Sequence, residues 1–119
     1  MSILIVDDDF AIRDSLSQLL EDEGFSVIAV SNGQEALSYL LQSSEYPCLI
    51  LLDLMMPGIN GWEFRRQQKQ YAALASIPVA ILSADRNFES HASILEAQGY
   101  IDKPIDLDVL FQIVERYCA

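Results

Sequence analysis

Residues 51–58 read LLDLMMPG, an apolar run that delivers one carboxylate, Asp53, and then turns. Including its lead-in, Cys48–Leu52 is apolar throughout, with no polar residue at alternate positions. A strand facing water on one side would alternate; one covered by helices on both faces would not. The stretch is therefore read as a central strand of a parallel sheet, with Asp53 at its carboxyl end. Pro57-Gly58 then leads the chain away from the sheet.

Working outward, Ile3–Val6, Phe25–Val30, Pro78–Leu82 and Tyr100–Ile101 are the other short apolar runs. Pro78 suits the first residue of a strand. Helical spacing fills the gaps. Ile12, Leu16, Leu19 and Leu20 form one stripe, stopped by Gly24. Ala36, Leu37, Leu40 and Leu41 form another behind Asn32-Gly33, and a weaker pattern runs from about Asn60 toward Tyr71. A fourth helix is expected over about 89–97. The last carries Leu107, Leu110, Phe111, Val114 and Tyr117 behind a capping Asp106. Strands alternating with helices need crossover connections. The fold expected is α/β and doubly wound (flavodoxin-like), a five-stranded parallel sheet in order 2-1-3-4-5 with five helices on both faces.

At 119 residues the chain fits one domain, expected over 1–119, and 51% hydrophobic against 21% charged residues gives it enough apolar matter for a core. With 7 basic and 18 acidic residues, net −11, its surface would repel nucleic-acid phosphates and anionic membranes. No apolar run is long enough to cross a bilayer, and the Ile3–Val6 stretch lacks a basic flank for a leader. A cytoplasmic protein is expected. Cys48 and Cys118 fit no metal-ligand spacing and are read as two reduced thiols.

In such a sheet every strand points the same way, so residues following strands share one edge. Asp7, Asp8 and Asp9 follow the first strand, Asp53 ends the third, Ser83 follows the fourth and Lys103 the fifth. The crevice between strands one and three is where this architecture binds ligands. Crowded carboxylates repel unless a cation intervenes, and Mg²⁺, a hard ion held by one or two carboxylates and waters, suits the gap. Asp8 and Asp53 are the expected direct ligands, with the Met55 carbonyl in reach and Asp7 acting through water; Mn²⁺ could substitute. Asp9 is assigned to capping the first helix. His91 is read as solvated, and Arg65, Arg66 and Lys69 as a solvated basic face. Trp62 is either an exposed contact or packed over the loop after Pro57.

The stretches ILIVDDD, SNGQEAL, LLDLMMPGINGWEF, ILSA and YIDKP, in that order over the whole chain, resemble the receiver domain of two-component response regulators, particularly its stand-alone chemotaxis-type form. The resemblance implies a phosphoacceptor switch in a phosphorelay. Asp53 would accept a phosphoryl group from a phosphohistidine of a sensor histidine kinase or histidine phosphotransfer protein, with Mg²⁺ and Lys103 neutralising charge. It implies a switch hydroxyl at Ser83, a small neighbour at Ala84, a switch aromatic at Tyr100 and a cis bond before Pro104. It also implies a protein that catalyses only its own phosphorylation and dephosphorylation, a monomer able to dimerise when phosphorylated. Met55 and Asp85 stand where the family tunes dephosphorylation. The LEAQGYIDKP stretch is two residues shorter than the family's usual turn. Three rival readings are a receiver-like interaction module working without phosphorylation, a flavodoxin-like cofactor binder and a haloacid-dehalogenase-type phosphatase. The second lacks a phosphate-cradling loop after strand one, and the third would need an acid at Met55.

Overall fold

A computed structural model describes residues 2–56, 58–84 and 96–118. Five parallel strands, β1 (Ser2–Val6), β2 (Ser26–Val30), β3 (Leu49–Asp53), β4 (Val79–Ser83) and β5 (Gly99–Asp102), form one sheet in the order β2-β1-β3-β4-β5. This is the doubly wound arrangement expected. The described helices are α1 (Phe10–Asp22), α2 (Gly33–Gln42), α3 (Gly61–Gln70), a single turn α4 (Ala72–Ala75) and α5 (Leu107–Cys118). The turn at 72–75 was not anticipated, and the helix expected over about 89–97 falls mostly on residues 85–95, outside the described part, as do Pro57, Asp85 and His91.

The unbroken apolar runs are explained by two cores. Side chains alternate across the sheet. Leu4, Val6, Ile50, Leu52, Val79 and Ile81 pack on one side with Ala36, Leu40 and Phe64 of α2 and α3. Ile3, Ile5, Leu49, Leu51, Ala80 and Leu82 pack on the other with Leu16, Leu20, Leu110 and Val114 of α1 and α5. Every residue of β3 is buried, so its position along the sheet is held from both sides. Asp9, Asn32 and Asn60 each cap a helix, their side chains accepting from Ala11, Glu35 and Glu63 amides. Asp106 does the same for Asp108 and Val109 at the start of α5.

Two expectations are corrected. Cys48 and Cys118 are not free thiols: they form a disulfide, their Cα atoms 5.4 Å apart across a sequence separation of 70. Because α5 runs back against the strands, its end returns to the edge where β3 begins, and topology brings the sulfurs together. Closing a loop of that length contributes about 4 kcal/mol on chain-entropy arguments. Second, Arg65 is not on a solvated face. Only 2% exposed, it donates to Gln68 Oε1 at 2.9 Å and to the Glu96 carbonyl at 3.0 Å. Gln68 in turn donates to the Leu74 and Ile77 carbonyls. This buried network, with Lys69 paired to Glu96, fastens α3 to the segment entering β5. Arg66 and Lys69 keep the exposed positions expected, paired with Glu63 and Glu96.

Candidate functional site

The carboxyl edge gathers the residues the strand ends were expected to deliver. Asp7, Asp8 and Asp53 each offer a carboxylate oxygen, all within 4.8 Å of one another. Asp7 continues β1 by donating its amide to the Val30 carbonyl at 3.2 Å. Arg13, one helical turn beyond the capping Asp9, donates to the Asp7 carbonyl at 2.7 Å. Asp7 is completely buried and Asp53 is 3% exposed, whereas Asp8 faces solvent.

Lys103 reaches this cluster from just beyond β5. Its Nζ lies 3.0 Å from Asp7 Oδ2 and 3.4 Å from Asp53 Oδ1. Its backbone amide donates to the Ser83 carbonyl at 2.9 Å, tying the ends of β4 and β5 together. The Lys103–Pro104 bond is cis, as the resemblance implied. Ser83 is 1% exposed at the end of β4, Ala84 is exposed beside it, and Tyr100, on edge strand β5, is 38% exposed.

The backbone around Asp53 is held closely. The Met55 amide donates to Asp53 Oδ1 at 3.2 Å, while the Met55 side chain is 68% exposed at the crevice rim. Gly61 opens α3 against this segment, and its amide donates to the Leu54 carbonyl at 3.0 Å. A Cβ on Gly61 would come within 2.7 Å of the Leu54 Cα and 2.8 Å of the Asp53 carbonyl oxygen. Only glycine lets the helix come so close. Gly58, at φ +74°, supplies the left-handed residue of the intervening loop. Trp62 is half-buried against the core under α2 and α3, rather than an exposed contact.

Three carboxylates against one ammonium leave two negative charges uncompensated. Burial pushes the Asp53 carboxyl up to about 6 from an ordinary 3.8, and the Asp7 charge pushes the same way; Lys103 and the Met55 amide pull back. Burial also works against the Lys103 ammonium, but Asp7 and Asp53 outweigh it and hold its pKa above the ordinary lysine range. Although Lys103 is in ion-pair range of Asp7 Oδ2, no hydrogen bond is aligned on that buried oxygen. An acidic pocket with an unsatisfied oxygen and a deficit of two positive charges fits a divalent cation with oxygen ligands. The donor set contains no sulfur or imidazole to favour zinc.

Comparison with known proteins bears on what this arrangement is. The family model described as response regulator receiver domain matches residues 3–115. The chain belongs to this family. As a receiver it is 36% identical over 120 residues to an uncharacterized 14.6 kDa protein of Leptolyngbya boryana, covering 99% of this chain and 90% of that one. It is 34% identical to response regulator Rre1 of Synechocystis, where it spans all of this chain but 52% of the relative. In a response regulator of Arabidopsis thaliana the match spans only 18% of the length. The receiver is also similar to the crystal structure of the response regulator TrrA of Thermotoga maritima in complex with Mg(2+)-BeF. There the TM-score is 0.84 at 31% identity, covering 98% of this chain and 99% of that one. No helix among the described residues is long and apolar enough to cross a membrane.

Sequence reading missed Arg13, Gly61 and Arg65. Arg13 carried a signal, a cation one helical turn beyond a capping acid and facing back toward the strand end. Gly61 carried another, a glycine directly after an N-cap where no turn needs one. Arg65 carried none, because a buried arginine differs from an exposed one only through partners distant in sequence.

Proposed function

We propose that this receiver is a phosphoacceptor switch, in which Asp53 takes a phosphoryl group from a phosphohistidine of a sensor histidine kinase or histidine phosphotransfer protein. The observation that supports this is the contact of Lys103 Nζ with both Asp7 and Asp53 inside a cluster of three carboxylates. A structural strand-end acid has no need of such company.

In the transfer, an Asp53 carboxylate oxygen attacks phosphorus in line with the P–N bond. The bond breaks, its electron pair leaves with the imidazole, and the imidazole takes a proton. Little covalent work falls to the protein; positioning and charge neutralisation do the rest. β3 fixes Asp53 from both sheet faces. Lys103 supplies a compact positive charge within reach of the phosphoryl oxygens. Ser83 donates its hydroxyl to another, drawing the β4 loop inward beside the small Ala84, and Tyr100 follows, changing a protein-binding surface. Asp8, Asp53 and the Met55 carbonyl would hold Mg²⁺ (or Mn²⁺), with Asp7 acting through water. When bound, the ion would offset the charge building on the phosphoryl oxygens. The protein thus catalyses its own modification and turns over no other substrate.

Incubation with Mg²⁺ and a small phosphodonor should add one phosphoryl group, stable to acid and labile to base, in the wild type and none in Asp53→Asn. Intact mass reads both. A wild type that stays unmodified would favour an interaction module that works without phosphorylation.

A further inference from the structure

The disulfide lies at the opposite end of the sheet from the acidic cluster and plays no part in phosphoryl transfer. We propose that Cys48 and Cys118 form a reversible redox clasp, a thiol modification site that locks or releases the last turn of α5.

α5 is seated by a stripe of buried side chains, Leu110, Val114 and Cys118. Helix ends are the first parts of a helix to open. In the oxidised form the third contact of the stripe is covalent. Cys48 is anchored independently, its amide donating to the Ser2 carbonyl at 2.9 Å, so α5 is pinned to the paired start of β1 and β3. The closed loop runs through Asp53, Ser83 and Lys103 and excludes Asp7 and Asp8, so the cysteines join the two ends of the segment carrying most of the site.

The reduced form is also provided for. Cys48 Sγ stands 3.2 Å from the Ser2 carbonyl oxygen. A half-cystine sulfur has no proton to donate, so this contact becomes a hydrogen bond only once the thiol forms. Each cysteine is 8% exposed, and a small thiol or free cysteine side chain packs well in such a place. Both redox states can therefore be folded. With both states foldable, exchange requires only that an attacking thiolate reach the sulfurs, which opening of the last turn of α5 permits.

The step balances as a thiol–disulfide exchange with an external dithiol. A thiolate of the dithiol attacks one cysteine sulfur and the S–S bond breaks. The other sulfur leaves as thiolate and takes a proton. The second thiol of the dithiol then resolves the mixed disulfide, freeing the first cysteine. Two electrons and two protons reach the protein while the dithiol becomes a disulfide. A small disulfide such as oxidised glutathione reverses it.

The test takes the whole chain without denaturant. Dithiothreitol and then oxidised glutathione are applied, thiols are counted by alkylation and intact mass, and amide exchange is followed across residues 107–118. The clasp predicts two thiols appearing and disappearing reversibly, with unchanged far-ultraviolet circular dichroism. It predicts at least tenfold faster exchange in the last turn of α5 on reduction. Cys118→Ser should show the fast exchange under both conditions, and Cys48→Ser should match it. A disulfide that yields only in denaturant, a pair that never oxidises, or equal exchange in the two forms would each overturn the proposal. None of these readouts involves phosphorylation, so the clasp and the phosphoacceptor reading stand or fall separately.

Discussion

Lys103→Met should slow phosphorylation by a small donor roughly 10²–10³-fold, the loss typical when a preorganised positive or hydrogen-bonding group is removed from a site of developing charge. It should also destabilise the protein. Asp7 is wholly buried and Lys103 is the cation on it, 3.0 Å away, with Asp53 at 3.4 Å. Breaking a buried pair by removing one partner costs about 3 kcal/mol or more, because the other charge is left uncompensated. In a domain of this size that is roughly a 10 °C fall in Tm. The lysine pKa is raised above its ordinary 10.5, so its contribution is complete throughout the neutral range and would fade only above that value. A variant that melts with the wild type and is modified at the wild-type rate would remove Lys103 from the site.

Asp53→Asn carries the opposite sign. The folded carboxyl, at about 6, binds a proton more tightly than the unfolded one at 3.8. Wild-type stability therefore falls as pH rises from about 4 to about 6, and above that window the whole penalty is present. The neutral amide removes it. Without divalent ions at pH 8, Asp53→Asn should be the more stable protein by about 3 kcal/mol, with the gap closing as pH is lowered through 6. Saturating Mg²⁺ should narrow or reverse the order, since only the wild type keeps the complete ligand set. Denaturant melts with chelator and with Mg²⁺ check both halves. A destabilised Asp53→Asn in chelator would mean that the acid is a structural partner rather than a strained nucleophile.

A stabilised mutant at the proposed acceptor is what a site selected for chemistry should show. The fold holds three acids together against their repulsion because β1 and β3 are buried on both faces and cannot shift. The same rigidity made the strand ends readable in advance. Apolar runs without alternation marked buried parallel strands, and parallel strands put Asp7, Asp8, Asp53, Ser83 and Lys103 on one edge without any further information.

What escaped sequence reading was what depends on contacts between helices and strand starts. Arg65 looked like its exposed neighbour Arg66, because burial of a cation shows only in distant partners, here the Glu96 carbonyl. The α4 turn, AALA, is too short to display a period. The disulfide escaped because a single pair of cysteines sets no framework, although the antiparallel return of α5 along β3 already brings their positions to one edge. The cue was geometric: the end of a helix running antiparallel to the strands lies near the start of a neighbouring strand.

The most direct measurement is calorimetric titration of Mg²⁺ at pH 6 in two buffers of different protonation enthalpy. Because Asp53 titrates near that pH in the free protein, binding at a site that includes it must displace protons. A single site is expected whose heat depends on the buffer, with more proton release per ion at pH 6 than at pH 8. Asp8→Ala should weaken it. Absence of binding at millimolar Mg²⁺, or binding with no proton release at pH 6, would contradict the claim that these carboxylates are gathered to share a divalent cation.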